Sequence, residues 1–226
     1  MTAIQPFVAA AAALLVLWFA LRLIEASRAR GRARAGYLNA LKPLFDNGEV
    51  RLLPSGFPRL TGHRGGLAFD VRALPDTLTF RKLPALWVMV SLPLPLPLGA
   101  TLDLMARPSG QEVFSRFADL ADSLPHPDFL PEGVAVRSDN AAGVLPEELL
   151  RRHADLFDDP RVKELLISPA GLRIVILAEE ADRGRYLIFR DAEMGLSPIS
   201  GARIAPLIDR LERLRSDIID RATEPT

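Results

Sequence analysis

The chain predicts an α+β fold, with an N-terminal transmembrane helix followed by a mostly antiparallel sheet domain with covering helices. Two observations carry that expectation. Residues 4–24 are apolar apart from Gln5, Pro6 and Arg22. Beyond residue 60, short runs alternate apolar and polar side chains between Gly, Pro and Asp punctuation, and these give way to a few stretches with helical spacing. The 226 residues are 49% hydrophobic and 25% charged, the balance of a folded chain with room for one ordinary domain and an appendage. We divide it into an anchor at 1–25, a basic juxtamembrane connector at 26–48 and a globular domain at 49–226. The proline-punctuated "PHPDFLPEG" offers an internal boundary near 125–133.

As a helix, the 21 positions from Ile4 to Ile24 span roughly 31 Å, enough for a hydrocarbon core of about 30 Å. "MTAIQP" has no basic residue and the far end is arginine-rich, the reverse of a cleavable signal. Arg22, Arg28, Arg30, Arg32 and Arg34 at the end of the apolar run hold that flank on the cytoplasmic side. The expectation is a single-pass inner-membrane protein with its N-terminus outside and its body in the cytoplasm. The same arginines are placed to rest on anionic headgroups.

Charge separates along the chain. Five arginines against Glu25 leave residues 1–36 at +4, and 23 basic against 27 acidic residues leave the rest at −4. An acidic body argues against nucleic-acid binding, which needs a basic face. No cysteine is present, which removes disulfides, thiolate metal ligands and thiol nucleophiles.

Along the body, "GYLNALKPLFDNGEV" predicts a short helix or connector ended at Asn47-Gly48. Leu67, Phe69 and Val71 then alternate with Ala68, Asp70 and Arg72. A turn at Pro75-Asp76 followed by Leu78 and Phe80 against Thr77, Thr79 and Arg81 predicts a hairpin. "PALWVMVSLPLPLPLGATLDLM" has no charge between Lys82 and Asp103, but prolines at 84, 93, 95 and 97 forbid a second membrane helix. As a strand it places Leu86, Val88, Val90, Leu92, Leu94, Leu96 and Leu98 on one face. Its prolines fall along one edge, so it pairs on both sides early and on one side after Ser91.

"ATLDLMARP" reads as a further strand. "SGQE" has capping-box spacing before a helix carrying Val113, Phe117, Leu120 and Leu124. The second half predicts strand "VAVRS", helix "PEELLRRHADLFDD", and a three-strand meander from "VKELLIS", "LRIVILAEE" and "RYLIFRD". The last helix starts near Pro206 and carries Ile204, Leu207, Leu211, Leu214 and Ile218 three and four apart. It packs on the sheet or, alternatively, makes a homodimer contact.

The stretch 134–177, where a strand ends in Ser-Asp, a helix follows and a hairpin begins K-x-L-x-I-S, resembles a segment of membrane-anchored bacterial proteins of unknown function. The resemblance implies a bacterial, membrane-tethered protein and brings no catalytic residue.

Motifs for chemistry are sparse. "TGHRGGL" feeds an alternating strand rather than a helix N-terminus, so His63 sits by a tight turn and not a phosphate loop. His126 lies between two prolines, in a position expected to be solvated. His153 cannot share a metal with Asp155, because helical positions i and i+2 diverge. No G-x-S-x-G elbow, Walker loop or dinucleotide fingerprint occurs.

Asp70, Asp103, Asp139 and Glu179 fall on or beside strands, where a solvated face is the simplest place for carboxylates. Polar positions that could line a site are Arg107, Glu112, Arg137 and Asp139, where strands meet helices; a buried Arg–carboxylate pair accounts for them equally well. No cofactor or metal is expected. The functional expectation is a cytoplasmic protein-interaction module held to the bilayer through residues 4–24. The alternative is a membrane-tethered hydrolase using carboxylates.

Overall fold

A computed structural model describes residues 4–77, 83–189 and 192–223. Helix α1 (Ile4–Ala35) runs unbroken through the apolar segment and most of the basic connector. It is long and apolar enough to cross a membrane, and none of its apolar window is buried against the rest of the protein. The chain then turns into the fold, where Tyr37, Leu38 and Leu41 are buried in the core, the last within a 3-10 turn at Asn39–Leu44.

Among the described residues, nine strands form one antiparallel sheet: β1 (Asp46–Leu52), β2 (Pro58–Arg64), β3 (Leu67–Asp76), β4 (Ala85–Pro93), β5 (Leu102–Ala106), β6 (Asp122–Leu124), β7 (Val134–Ser138), β8 (Val162–Ser168) and β9 (Gly171–Glu180). Their order is β1-β2-β3-β4-β9-β8-β5-β7-β6, so β8 and β9 insert between the two earlier groups. The predicted α+β class holds. The sheet takes strands from both sides of residues 125–133, because β5 pairs with β7 and β8.

Most strands follow from the alternation. β2 and β3 join through Gly65-Gly66, both with positive φ (57° and 78°), which matches a two-residue turn to the twist of its strands. Phe69 and Val71 enter the core as their parity predicts. On β4, Leu86, Val88, Val90 and Leu92 are fully buried. Pairing with β3 stops at Ser91, while β9 continues alongside to Pro93. Leu94 and Leu96 then donate their N–H groups to the carbonyls of Ala170 and Pro169. The prolines thus fall where a backbone donor is not needed. Gly171 at the β8–β9 turn admits no other residue: its φ is 138°, and a Cβ there would meet the Leu92 carbonyl oxygen at 2.3 Å.

Four expectations are overturned. β1 runs through Asn47-Gly48, which forms an irregularity in the strand, with Asn47 at φ 53°, instead of ending the segment. Pro75 and Asp76 are not a turn, since β3 continues through them opposite Leu86 and Ala85; of the predicted second hairpin strand, residues 78–82 lie outside the described residues. The helix expected after "SGQE" does not form. Residues 107–121 cross the sheet as an irregular strap with one 3-10 turn at Phe117–Asp119, leading into β6. Finally, "RYLIFRD" contributes to helix α3 (Arg183–Phe189) rather than to a strand. β9 already has β4 and β8 as neighbours, so a third meander strand has no edge to join.

The helix predicted from "PEELLRRHADLFDD" is split into α2 (Glu147–Arg151) and a 3-10 turn at Ala154–Asp158. The last helix, α4 (Gly201–Thr223), begins before Pro206 and buries Ile204, Leu207, Ile208, Leu211, Leu214 and Ile218. Each such burial contributes roughly 1.5–3 kcal/mol. α4, α2 and the 3-10 turns at Asn39–Leu44 and Ala154–Asp158 contribute to a single large core that occupies one face of the sheet. The apolar stripe of α4 is therefore consumed within the monomer.

Candidate functional site

The second face of the sheet is polar at both ends and apolar only in its middle, where the strap lies. Strap residues Phe114 and Phe117 pack on Met89, Met105 and Val175, with Trp87, Leu74 and Ala135 around them. The Trp87 and Phe114 rings are tilted at 59° with centroids 5.2 Å apart. The strap leaves β5 at Arg107, which has a positive φ of 47°, and turns at Gly110.

Beneath it, Asp103 on β5 and Glu164 on β8 are 1% and 0% exposed. Asp103 is opposite Leu166 and Glu164 opposite Met105, so the two carboxyls are diagonal neighbours on one face. Arg173 on β9 donates through Nε to Glu164 Oε2 at 2.8 Å. The Ser115 hydroxyl of the strap donates to Asp103 Oδ2 at 3.3 Å. Among the described residues, Asp103 Oδ1 and Glu164 Oε1 have no ordinary donor.

A proton kept between the two acids accounts for that gap. Burial, then the negative charge of Glu164, pushes the Asp103 carboxyl up to about 8, against the pull of Arg173 and Ser115. A hydrogen bond to Glu164 acts in the same upward direction, as it does for a protonated donor.

A second polar knot ties down the start of the strap. The capping-box contact predicted for "SGQE" does form, without its helix: Glu112 Oε1 accepts from the Ser109 N–H at 2.6 Å and the Ser109 hydroxyl at 2.8 Å. Lys163 lies 3.1 Å from the same oxygen and donates to the carbonyls of Ala106 and Arg107. Burial works upward on Glu112, but the two Ser109 donors and Lys163 outweigh it and hold the carboxyl down at about 2. A cleft of about 450 Å³ opens beside this knot, with Asp76, Trp87, Arg107, Glu112 and Lys163 on its walls.

Arg107 and Glu112 of the predicted polar set thus line one cleft, and Arg137 and Asp139 do not. Arg137, opposite Asp103 on β7, donates to the Ala118 carbonyl and lies 5.8 Å over the Phe117 ring, so it holds the strap. Asp139 accepts the Thr101 N–H at 2.7 Å beside β5. Two carboxylates expected on a solvated face are buried instead: Asp103, and Asp70, which is clasped by Arg59 and Arg72. Glu179 is half-buried and accepts the Gly195 N–H. Glu164 escaped the sequence reading, although an acid two residues from Val162 and Leu166 in a strand was the available signal.

The histidines separate. His63 is exposed on β2, and the two ring nitrogens of His126 reach the carbonyls of Val134 and Leu130. His153 is 4% exposed, with Nε2 3.0 Å from Asp217 on α4, while Asp155 goes to Arg210. Burial lowers the His153 pKa and outweighs Asp217, which favours the charged form. A cleft of about 510 Å³ lies beside this pair, lined by arginines 152, 210 and 213 and by acids of α4.

Of the arginines at and after the end of the apolar run, Arg22 pairs with Glu25 and lies over Trp18, whereas Arg28 and Arg32 are exposed. Arg34 turns to the body. It donates to the carbonyls of Met194 and Ala192 and lies 5.3 Å over the Phe57 ring.

The Asp103 carboxyl can hold a proton near neutral pH, but both acids are buried and the strap's Ser115 lies against Asp103. Comparison with family models, curated proteins and solved structures finds no match to this chain.

Proposed function

We propose that this is a single-pass inner-membrane protein whose cytoplasmic body is a protein-interaction module. The observation that carries the reading is the continuity of α1. Its apolar length is left wholly uncovered by the rest of the chain, yet the same helix runs on to Arg34, which is fastened to the body, and the turn after it buries Tyr37. A bilayer is the environment that an uncovered apolar helix of that length fits. A body fastened to such a helix presents its β1 edge, its cleft and its charged α4 surface in one orientation.

Crosslinking in native membranes, followed by detergent purification and mass spectrometry, tests the module. A reproducible partner at near-equal stoichiometry supports it, and recovery of the chain alone counts against it. The chain has no cysteine, so Val113→Cys labels cleanly. Protection from a membrane-impermeant maleimide in intact cells, lost on permeabilisation, is the result a cytoplasmic body gives.

One observation favours a second reading, a membrane-tethered hydrolase: Asp103 holds a proton near neutral pH beside a second carboxylate. General acid–base work needs such a group within reach of a substrate, so this reading requires the strap to lift. Hydrolysis of a chromogenic ester or glycoside that is lost in Asp103→Asn would favour it over the module.

A further inference from the structure

We propose that the body itself meets the bilayer, through an apolar rim around the foot of α1 formed by Leu52, Leu187 and Leu196. This rests on the membrane reading above. Among the described residues, the large apolar side chains left exposed outside α1 are Leu52, Val113, Leu187 and Leu196. Val113 is on the strap. The other three belong to segments that converge on Arg34.

Leu52 is 57% exposed at the end of β1, where the turn to β2 runs back to Phe57, the ring under the Arg34 guanidinium. Leu196 is two residues from Met194, whose carbonyl accepts from Arg34. It follows Gly195, where a Cβ would lie 2.7 Å from the Phe57 ring, so the two segments are in contact. Leu187, 59% exposed, is on α3, five residues before Ala192, the other Arg34 acceptor.

The antiparallel register puts these segments at one end of the sheet. Leu52 pairs with Pro58, Asp76 with Ala85, and Ala85 with Glu180, so the β1–β2 turn and the exit from β9 to α3 share that end.

Distances then place that end against lipid. The headgroup layer is about 5–7 Å thick on each side of the hydrocarbon, and a helix crosses it in about four or five residues. With the apolar span ending at Ile24, α1 leaves the headgroups near residue 29, and Arg34 is only about 7–8 Å further along the axis. A body fastened at Arg34 has no room for a thick water layer above it. Exposed Arg28 and Arg32 draw the same surface to anionic headgroups. Three leucines around that point are placed to enter the interface.

The test uses the full chain in nanodiscs of phosphatidylcholine and phosphatidylglycerol. Single cysteines at Leu52, Leu196, Val113 and Phe19 are spin-labelled, and accessibility to lipid-soluble oxygen and to a water-soluble nickel chelate is compared. All four positions are exposed, so the labels displace no packed side chain. The expected result is that labels at 52 and 196 are several-fold less accessible to nickel than the label at 113, and that label 19 reads as lipid-embedded. If labels 52 and 196 match label 113 while label 19 remains in lipid, the rim proposal is overturned and the anchor stands. If label 19 is open to nickel, the anchor reading fails and the rim with it.

Discussion

Asp103 and Glu164 show how one residue's surroundings decide its chemistry. An aspartate on an alternating strand is ordinarily a solvated carboxylate, but here Phe114, Phe117 and Ser115 close over it. The consequence for stability has a definite sign. The folded carboxyl titrates at about 8 and an unfolded aspartate near 4. Between those values the native state holds a proton that the unfolded state has lost, so stability falls as pH rises through the window, by on the order of a few kcal/mol, and levels off above it. Asp103→Asn keeps a donor for Glu164 and cannot ionise. Urea unfolding of the full chain in detergent from pH 5 to 9 should show that downward slope flattened in the variant. Parallel curves for the two proteins would remove the shared proton from the account.

The strap is where pattern and packing compete at the scale of an element. Its sequence carries a capping box and apolar residues at helical spacing, and a free peptide would have reason to coil. The sheet face offers Phe114 and Phe117 a common apolar floor, and Lys163 draws Glu112 to the end of β5. Those tertiary contacts outweigh the local helical preference. Beyond Arg107 the strap's own backbone N–H groups bond locally, so its attachment depends on those rings together with the Arg137 and Lys163 contacts. Phe114→Ala and Phe117→Ala together should release residues 108–121 to fast hydrogen exchange while β4 and β9 keep their protection. Equal loss of protection across the sheet would mean that the strap is part of the main cooperative unit.

For the whole molecule, the joint between α1 and the body matters most. Tyr37 is buried, hydrogen-bonded to Glu179, and accepts the Ile199 N–H on its carbonyl, while Arg34 reaches two further carbonyls. These contacts fasten the C-terminal end of α1 to the body. Spin labels at Arg28 and His63, both exposed, should give a narrow distance distribution in the native chain. The distribution should broaden several-fold when Arg34 and Tyr37 are both replaced by Ala. An unchanged distribution would show that the 3-10 turn alone holds the angle.

Sequence by itself determined the apolar helix and its basic flank, the α+β class, the parity of β3 and β4, the presence of strands at β5, β7, β8 and β9, and the buried stripe of α4. Each is a local periodic pattern, and a pattern of period 2 or 3.6 survives whatever the partner element proves to be. It also placed Arg107 and Glu112 in a polar region, because both lie where β5 ends. Only the tertiary structure decided that β8 and β9 enter between β4 and β5. That insertion brings Glu164 beside Asp103 across 61 positions of chain, leaves "RYLIFRD" without an edge to join, and spreads the strap over the joined strands. His153 meeting Asp217 is decided in the same way, by α4 returning across the core. Long-range pairing depends on which edges remain free and which faces remain uncovered, and no local window of sequence contains that information.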